Sequence, residues 1–171
     1  MTEKTDISRL RILIVEDNVH FSTLLLSILQ ALGVENIEEA RDGSEALEVL
    51  KGYPADLAIV DWKMDGIDGV ECARLIRADN ESPSRFLPII MVTGYTEKKL
   101  IGDALDAGVN DFLAKPISAR SLMSRITSVL SESRPFVDVD SYFGPDRRRR
   151  RVMFSGVERR SKKAVLIHPG K

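Results

Sequence analysis

Apolar residues fall into five short runs that alternate with five stretches of helical spacing. Residues 10–15, Leu-Arg-Ile-Leu-Ile-Val, are almost continuously apolar, as a strand covered on both faces requires. Runs at 56–60, 87–92 and 110–114 repeat that pattern, and 35–40 does so weakly. Between them, 19–32 places Phe21, Leu24, Leu25, Ile28, Leu29 and Leu32 at helical spacing, with Gly33 as a stop. Shorter helices are predicted at 44–51 (Ala46, Leu47, Val49, Leu50) and 69–78 (Val70, Ala73, Leu75, Ile76). Two more are predicted at 96–107, stopped by Gly108, and at 118–130 (Leu122, Ile126, Val129, Leu130). Residues 79–86 are polar and read as a loop, and 2–9 as a frayed start. Strictly alternating strands and helices predict an α/β domain, a doubly wound five-stranded parallel sheet with right-handed crossovers. Order 2-1-3-4-5 is one of two common solutions for it.

Composition adds little until it is split by position. An apolar content of 43% and a charged content of 30% in 171 residues describe an ordinary globular protein. No apolar run approaches the roughly 20 residues of a membrane span, and Met1-Thr2-Glu3-Lys4 opens no signal-peptide core. A lone cysteine, Cys72, sits inside a helical pattern as a small buried side chain, so no disulfide framework is expected and a cytoplasmic location is. Residues 1–133 carry 14 Lys and Arg against 22 Asp and Glu, net −8, whereas 134–171 carry 11 against 4, net +7. The expected division is a flexible start (1–8), one domain (9–133) and a basic tail (134–171), either largely disordered or docked.

Four predicted strands deliver polar groups to one edge of the sheet: Glu16 and Asp17, Asp61, Thr93, and Lys115. Carboxyl ends of parallel strands are where such sheets bind ligands. Three clustered carboxylates repel one another unless a cation sits among them, and an all-oxygen set suits a hard divalent ion such as Mg²⁺. Thr93 adds a hydroxyl and Lys115 a point charge, parts that serve phosphoryl transfer to a carboxylate. The acids alone admit a plainer reading as caps of the first helix. No GxGxxG or Walker A pattern points to a nucleotide enzyme.

The acidic pair Glu16-Asp17, the loop Asp61-Trp-Lys-Met-Asp-Gly-Ile-Asp-Gly, the strand end Val92-Thr93-Gly94 and Lys115-Pro116 occur in order over residues 9–131. In this the chain resembles the receiver domains of two-component response regulators. The resemblance implies the flavodoxin-like, CheY-like three-layer α/β/α fold. It implies Asp61 as phosphoacceptor from a sensor histidine kinase or phosphotransfer protein. Asp17 and Asp61 would hold Mg²⁺ with the Lys63 backbone carbonyl, and Glu16 would act through a metal-bound water. Lys115 and Thr93 would contact the phosphoryl oxygens. Phe112, three residues before the lysine, would change rotamer with Thr93 in the switch, although simple packing also explains it. Targets would bind the face of the fourth helix, fifth strand and fifth helix, where two phosphorylated receivers could also pair. Self-phosphorylation and self-dephosphorylation aside, such a domain is a switch rather than a metabolic enzyme.

Departures from the family pattern touch no required group. Asp65 stands where the family commonly has proline and is expected to loosen its loop. The resemblance also implies that Lys63 and Tyr95, two residues beyond Asp61 and Thr93, would flank the route of hydrolytic water and bear on the lifetime of the phosphoaspartate. The 38 residues after 133 are too few for a common DNA-binding output domain. Arg147 to Arg151 could contact nucleic acid, but few aromatics accompany them, and protein binding is the favoured output. His20 and His168 read as solvated.

Overall fold

Residues 6–94, 98–132, 134–147 and 165–168 are described by a computed structural model. Five parallel strands form the central sheet: β1 (Arg11–Val15), β2 (Asn36–Ala40), β3 (Leu57–Asp61), β4 (Ile89–Thr93) and β5 (Asp111–Ala114). Their order is β2-β1-β3-β4-β5, as the alternating pattern predicts. The helices between and after them are α1 (Val19–Ala31), α2 (Gly43–Gly52), α3 (Gly69–Ala78), α4 (Lys98–Asp106) and α5 (Ala119–Ser131).

Alternation along the strands divides the core into two layers. Ile12, Ile14, Leu57, Ile59, Ile90 and Val92 face Leu25 and Leu29 of α1 and Leu122 and Ile126 of α5. Their neighbours Leu13, Val15, Ala58, Val60, Ile89 and Met91 face α2, α3 and α4. Burial on both faces explains why these strands are unbroken apolar runs. Asn18, Asp42, Asp68 and Ser118 cap helices through side-chain oxygens that accept backbone N–H groups. Asn18, and neither Glu16 nor Asp17, therefore caps α1, which removes the plainer reading of that pair.

Several expectations need correction. Ile7–Arg9 forms a 3-10 turn with Ile7 buried in the α1–α5 layer, so the structured chain begins inside the supposed flexible start. Leu24, on the predicted apolar face of α1, is 46% exposed. A 3-10 turn, Pro83–Phe86, interrupts the loop at 79–86. The start of the predicted helix at 96–107, and Tyr95, lie outside the described residues.

The largest difference lies after α5. Phe136–Val139 (β6) and Tyr142–Pro145 (β7) make an antiparallel hairpin, and Val165–Ile167 (β8) pairs with the other edge of β6. Phe136 is buried at 3% exposure. Its ring meets Phe86 edge-on at 5.1 Å and Phe143 at 5.4 Å. The described part of 134–171 is thus docked on the domain, the second of the two arrangements expected for the tail, and it is the strands themselves that the sequence pattern missed. No helix among the described residues is long and apolar enough to cross a membrane.

Candidate functional site

The carboxyl edge of the sheet opens into a cleft of about 500 Å³ lined by Glu16, Asp17, Asn18, Asp61, Trp62, Lys63, Gly94 and Lys115. Asp61 ends β3 with its side chain almost wholly buried, and Lys115 follows β5. Lys115 Nζ lies 2.8 Å from Asp61 Oδ1 and 3.8 Å from Glu16 Oε2. The ammonium also sits 4.1 Å from the centre of the Phe21 ring, a cation–π contact on α1 that the sequence pattern did not single out. The Lys115–Pro116 peptide is cis.

Glu16, Asp17 and Asp61 each offer an oxygen within 4.8 Å of the others. Glu16 Oε1 accepts the Asn18 N–H at 3.0 Å, whereas buried Oε2 has no hydrogen-bond partner. An orphaned carboxylate oxygen in an all-oxygen cluster is what a hard divalent cation fits.

Asp65 behaves unlike the loosening residue expected of it. Its N–H donates to Asp17 Oδ2 at 3.0 Å, a bond that the family's usual proline could not make. The substitution ties the β3–α3 loop to the acidic pair. Gly69 closes that loop from the other end. Its N–H donates to Trp62 O at 3.0 Å, and a Cβ there would press into the Asp61 carbonyl oxygen, 3.2 Å from Trp62 Cα. Both obstacles are backbone, so Gly69→Ala is expected to lower stability by about 1–3 kcal/mol. Urea unfolding of the variant checks it, and an unchanged midpoint would contradict the tight approach.

Burial pushes the Glu16 carboxyl up to about 7, with the charges of Asp61 and Asp17 adding and the Asn18 N–H and Lys115 opposing. The folded chain thus keeps a proton that the unfolded chain releases near its ordinary value of 4.5. Between those values the native state binds more protons, so this group makes stability fall as pH rises, levelling off above about 7. Without divalent cation, the unfolding midpoint of the parent chain is expected to drop more steeply across that window than that of Glu16→Gln. Parallel slopes would remove Glu16 as the cause.

The two remaining predicted residues stand apart from the cleft lining. Thr93 is buried at the end of β4, one position beyond Val92, the register partner of Asp61. Phe112 is half-buried on β5 and packs into the α2–α4 layer. In the tail, Arg147 pairs with Asp106 at 2.6 Å, and Arg148 to Arg151 lie outside the described residues.

A family model described as the response regulator receiver domain matches residues 12–127. Chemotaxis protein CheY-3 of Vibrio cholerae is 35% identical over 120 residues, covering 70% of this chain and 91% of that protein. Chemotaxis protein CheY of Pseudomonas aeruginosa is also 35% identical, over 70% of this chain and 95% of its own. The receiver domain of a sensor histidine kinase from P. aeruginosa PAO1, solved with a magnesium ion coordinated in its active-site cleft, is similar with a TM-score of 0.65. That structure is 30% identical and covers 72% of this chain and 98% of that one. With strand order, strand-end cleft and a match over most of its length in agreement, the chain belongs to the response regulator receiver family of two-component signalling.

Proposed function

We propose that the chain is a phosphoaccepting switch in which Asp61 takes a phosphoryl group from the phosphohistidine of a sensor kinase or phosphotransfer protein. The observation that carries this is the Lys115 ammonium 2.8 Å from Asp61 Oδ1, inside a cleft that also holds Glu16 and Asp17. An Asp61 carboxylate oxygen attacks phosphorus as the bond to the imidazole nitrogen breaks, leaving an acyl phosphate. Lys115 moves its charge from the carboxylate to a phosphoryl oxygen, and Thr93 donates its hydroxyl to another. Mg²⁺, when bound, supplies the neutralisation of charge that phosphoryl transfer demands. Asp17, Asp61 and the Lys63 carbonyl would hold it, with Glu16 acting through a water. Phe112 and Thr93 carry the change toward α4, β5 and α5, whose surface then binds its protein target.

Intact mass after incubation with acetyl phosphate and Mg²⁺ tests the reading. A phosphoryl-sized gain that requires the cation is expected, and no gain in the folded chain would overturn it.

A further inference from the structure

We infer that the β6–β7 hairpin is an intramolecular clamp on the base of α4 and β5, and that its docking and phosphorylation of Asp61 oppose one another. The inference rests on the reading of Asp61 as the phosphoacceptor.

The hairpin docks at the amino-terminal ends of the strands, opposite the Asp61 cleft. Two glycines let the backbones approach closely there. Gly108, between α4 and β5, has φ +87°, and a Cβ on it would come within 3.0 Å of Phe143 O. A Cβ on Gly144 of β7 would come within 2.9 Å of Gly108 Cα. Side chains close the same spot from both sides: the Cβ on Gly108 would also come within 3.0 Å of Arg77 Cγ, and the one on Gly144 within 2.8 Å of Tyr142 Cζ.

Arg77, in the last turn of α3, is the joint beneath them. Its guanidinium donates to Gly108 O, Arg85 O, Leu87 O and Asn110 Oδ1 at 2.7–3.1 Å. Asn110 Oδ1 in turn accepts the Ile89 N–H at 2.9 Å. One side chain thereby bolts together the starts of β4 and β5, the two strands whose far ends lead to Thr93 and Lys115. The Phe136 ring covers that guanidinium, 5.1 Å from its carbon. Arg85, whose Cζ lies 3.5 Å from the centre of the Phe143 ring, seals the adjoining seam.

Arg147 completes the clamp at α4. It pairs at 2.6 Å with Asp106, the last residue of that helix, and stacks 4.2 Å over the Tyr142 ring. The hairpin therefore grips the end of α4, the turn at Gly108 and, through Arg77, the start of β5. All of these contacts are made with Lys115 seated on Asp61, the unphosphorylated arrangement. Displacing α4 and β5 relative to α3 would cost the glycine contact, the Arg77 bonds and the Asp106 pair. A segment that binds one state better shifts the equilibrium toward it, and phosphorylation must weaken the segment's docking by the same factor.

Hydrogen exchange on the full chain tests this directly. Peptides covering 136–145 are compared with and without acetyl phosphate and Mg²⁺, with intact mass recorded on the same samples. Exchange about five-fold or more faster in the phosphorylated chain is expected. A mass gain with unchanged or slower exchange overturns the clamp and leaves the phosphoacceptor reading in place. Absence of a mass gain overturns both. In Gly144→Val, which crowds the Tyr142 ring as well as the approach to Gly108 and so loosens the hairpin's docking, a larger phosphorylated fraction at limiting acetyl phosphate is expected while 57–61 remains protected. An equal fraction would also overturn the clamp.

Discussion

Asp61→Asn is expected to abolish the phosphoryl-sized mass gain with acetyl phosphate and Mg²⁺, and no other single change here should have so complete an effect. An amide offers neither the anionic nucleophile nor the acyl phosphate that follows from it. Its neighbours cannot take over the role. Glu16 is buried with its charge disfavoured, and the Asp17 carboxylate is tied to the Asp65 N–H. The substitution is close to isosteric, and the asparagine oxygen can still accept from Lys115. It also removes one of the charges that push the Glu16 carboxyl up. Stability without Mg²⁺ should therefore stay within about 1 kcal/mol of the parent. That makes circular dichroism and urea unfolding the control that separates lost chemistry from lost fold. A phosphorylated Asp61→Asn chain would move the acceptor to another residue.

Arg77→Met should produce the largest loss of stability, about 3–5 kcal/mol, read as a fall in the urea midpoint. Arg77 is 3% exposed, and burial drags its pKa down to about 9. Desolvation thus opposes the fold, and a well-packed apolar replacement of a buried charge can be neutral or better. Here the acceptors decide the sign. Arg77 meets three backbone carbonyls and Asn110, none of which a methionine can satisfy. Bonds from a charged donor are worth about 1.5–3 kcal/mol each, and buried carbonyls left without donors add their own penalty. Methionine keeps most of the volume, so cavity formation contributes little. A stability within about 1 kcal/mol of the parent would mean that desolvation cancels the bonds.

The central sheet was legible because its strands are buried on both faces. Ile12 through Val15 and Leu57 through Val60 leave no solvent face to interrupt the apolar runs. The cleft was legible for a related reason: parallel strands all deliver their carboxyl ends to one edge, so Glu16, Asp61 and Lys115 converge whatever the loops do. Phe21 and Asp65 were not legible as neighbours of the site. One reaches Lys115 across a helix face, and the other acts through its N–H, which any residue but proline carries.

The hairpin escaped notice on physical grounds. Its strands have four residues each, with a two-residue turn, Asp140-Ser141, that lacks the usual glycine. Its partners are distant in the chain: Phe86, Gly108 and Arg77. Arg77 itself reads as one more charge on an amphipathic helix, and nothing in its spacing announces a buried junction. The basic composition of 134–171 describes residues after the hairpin more than the hairpin itself.

The position of that hairpin in the chain also bears on how the protein is assembled. Synthesis delivers β1 through α5 ahead of Phe136, so every carbonyl that Arg77 meets is available before its aromatic cover. Where the floor of the sheet forms first, water still reaches Arg77 from the side that Phe136 later covers. Its guanidinium can exchange water for the carbonyls while one face is still open to solvent, and the aromatic cover arrives afterwards, displacing the rest from a joint already made. Burial of a cation, costly as a single event, is spread over two stages of folding.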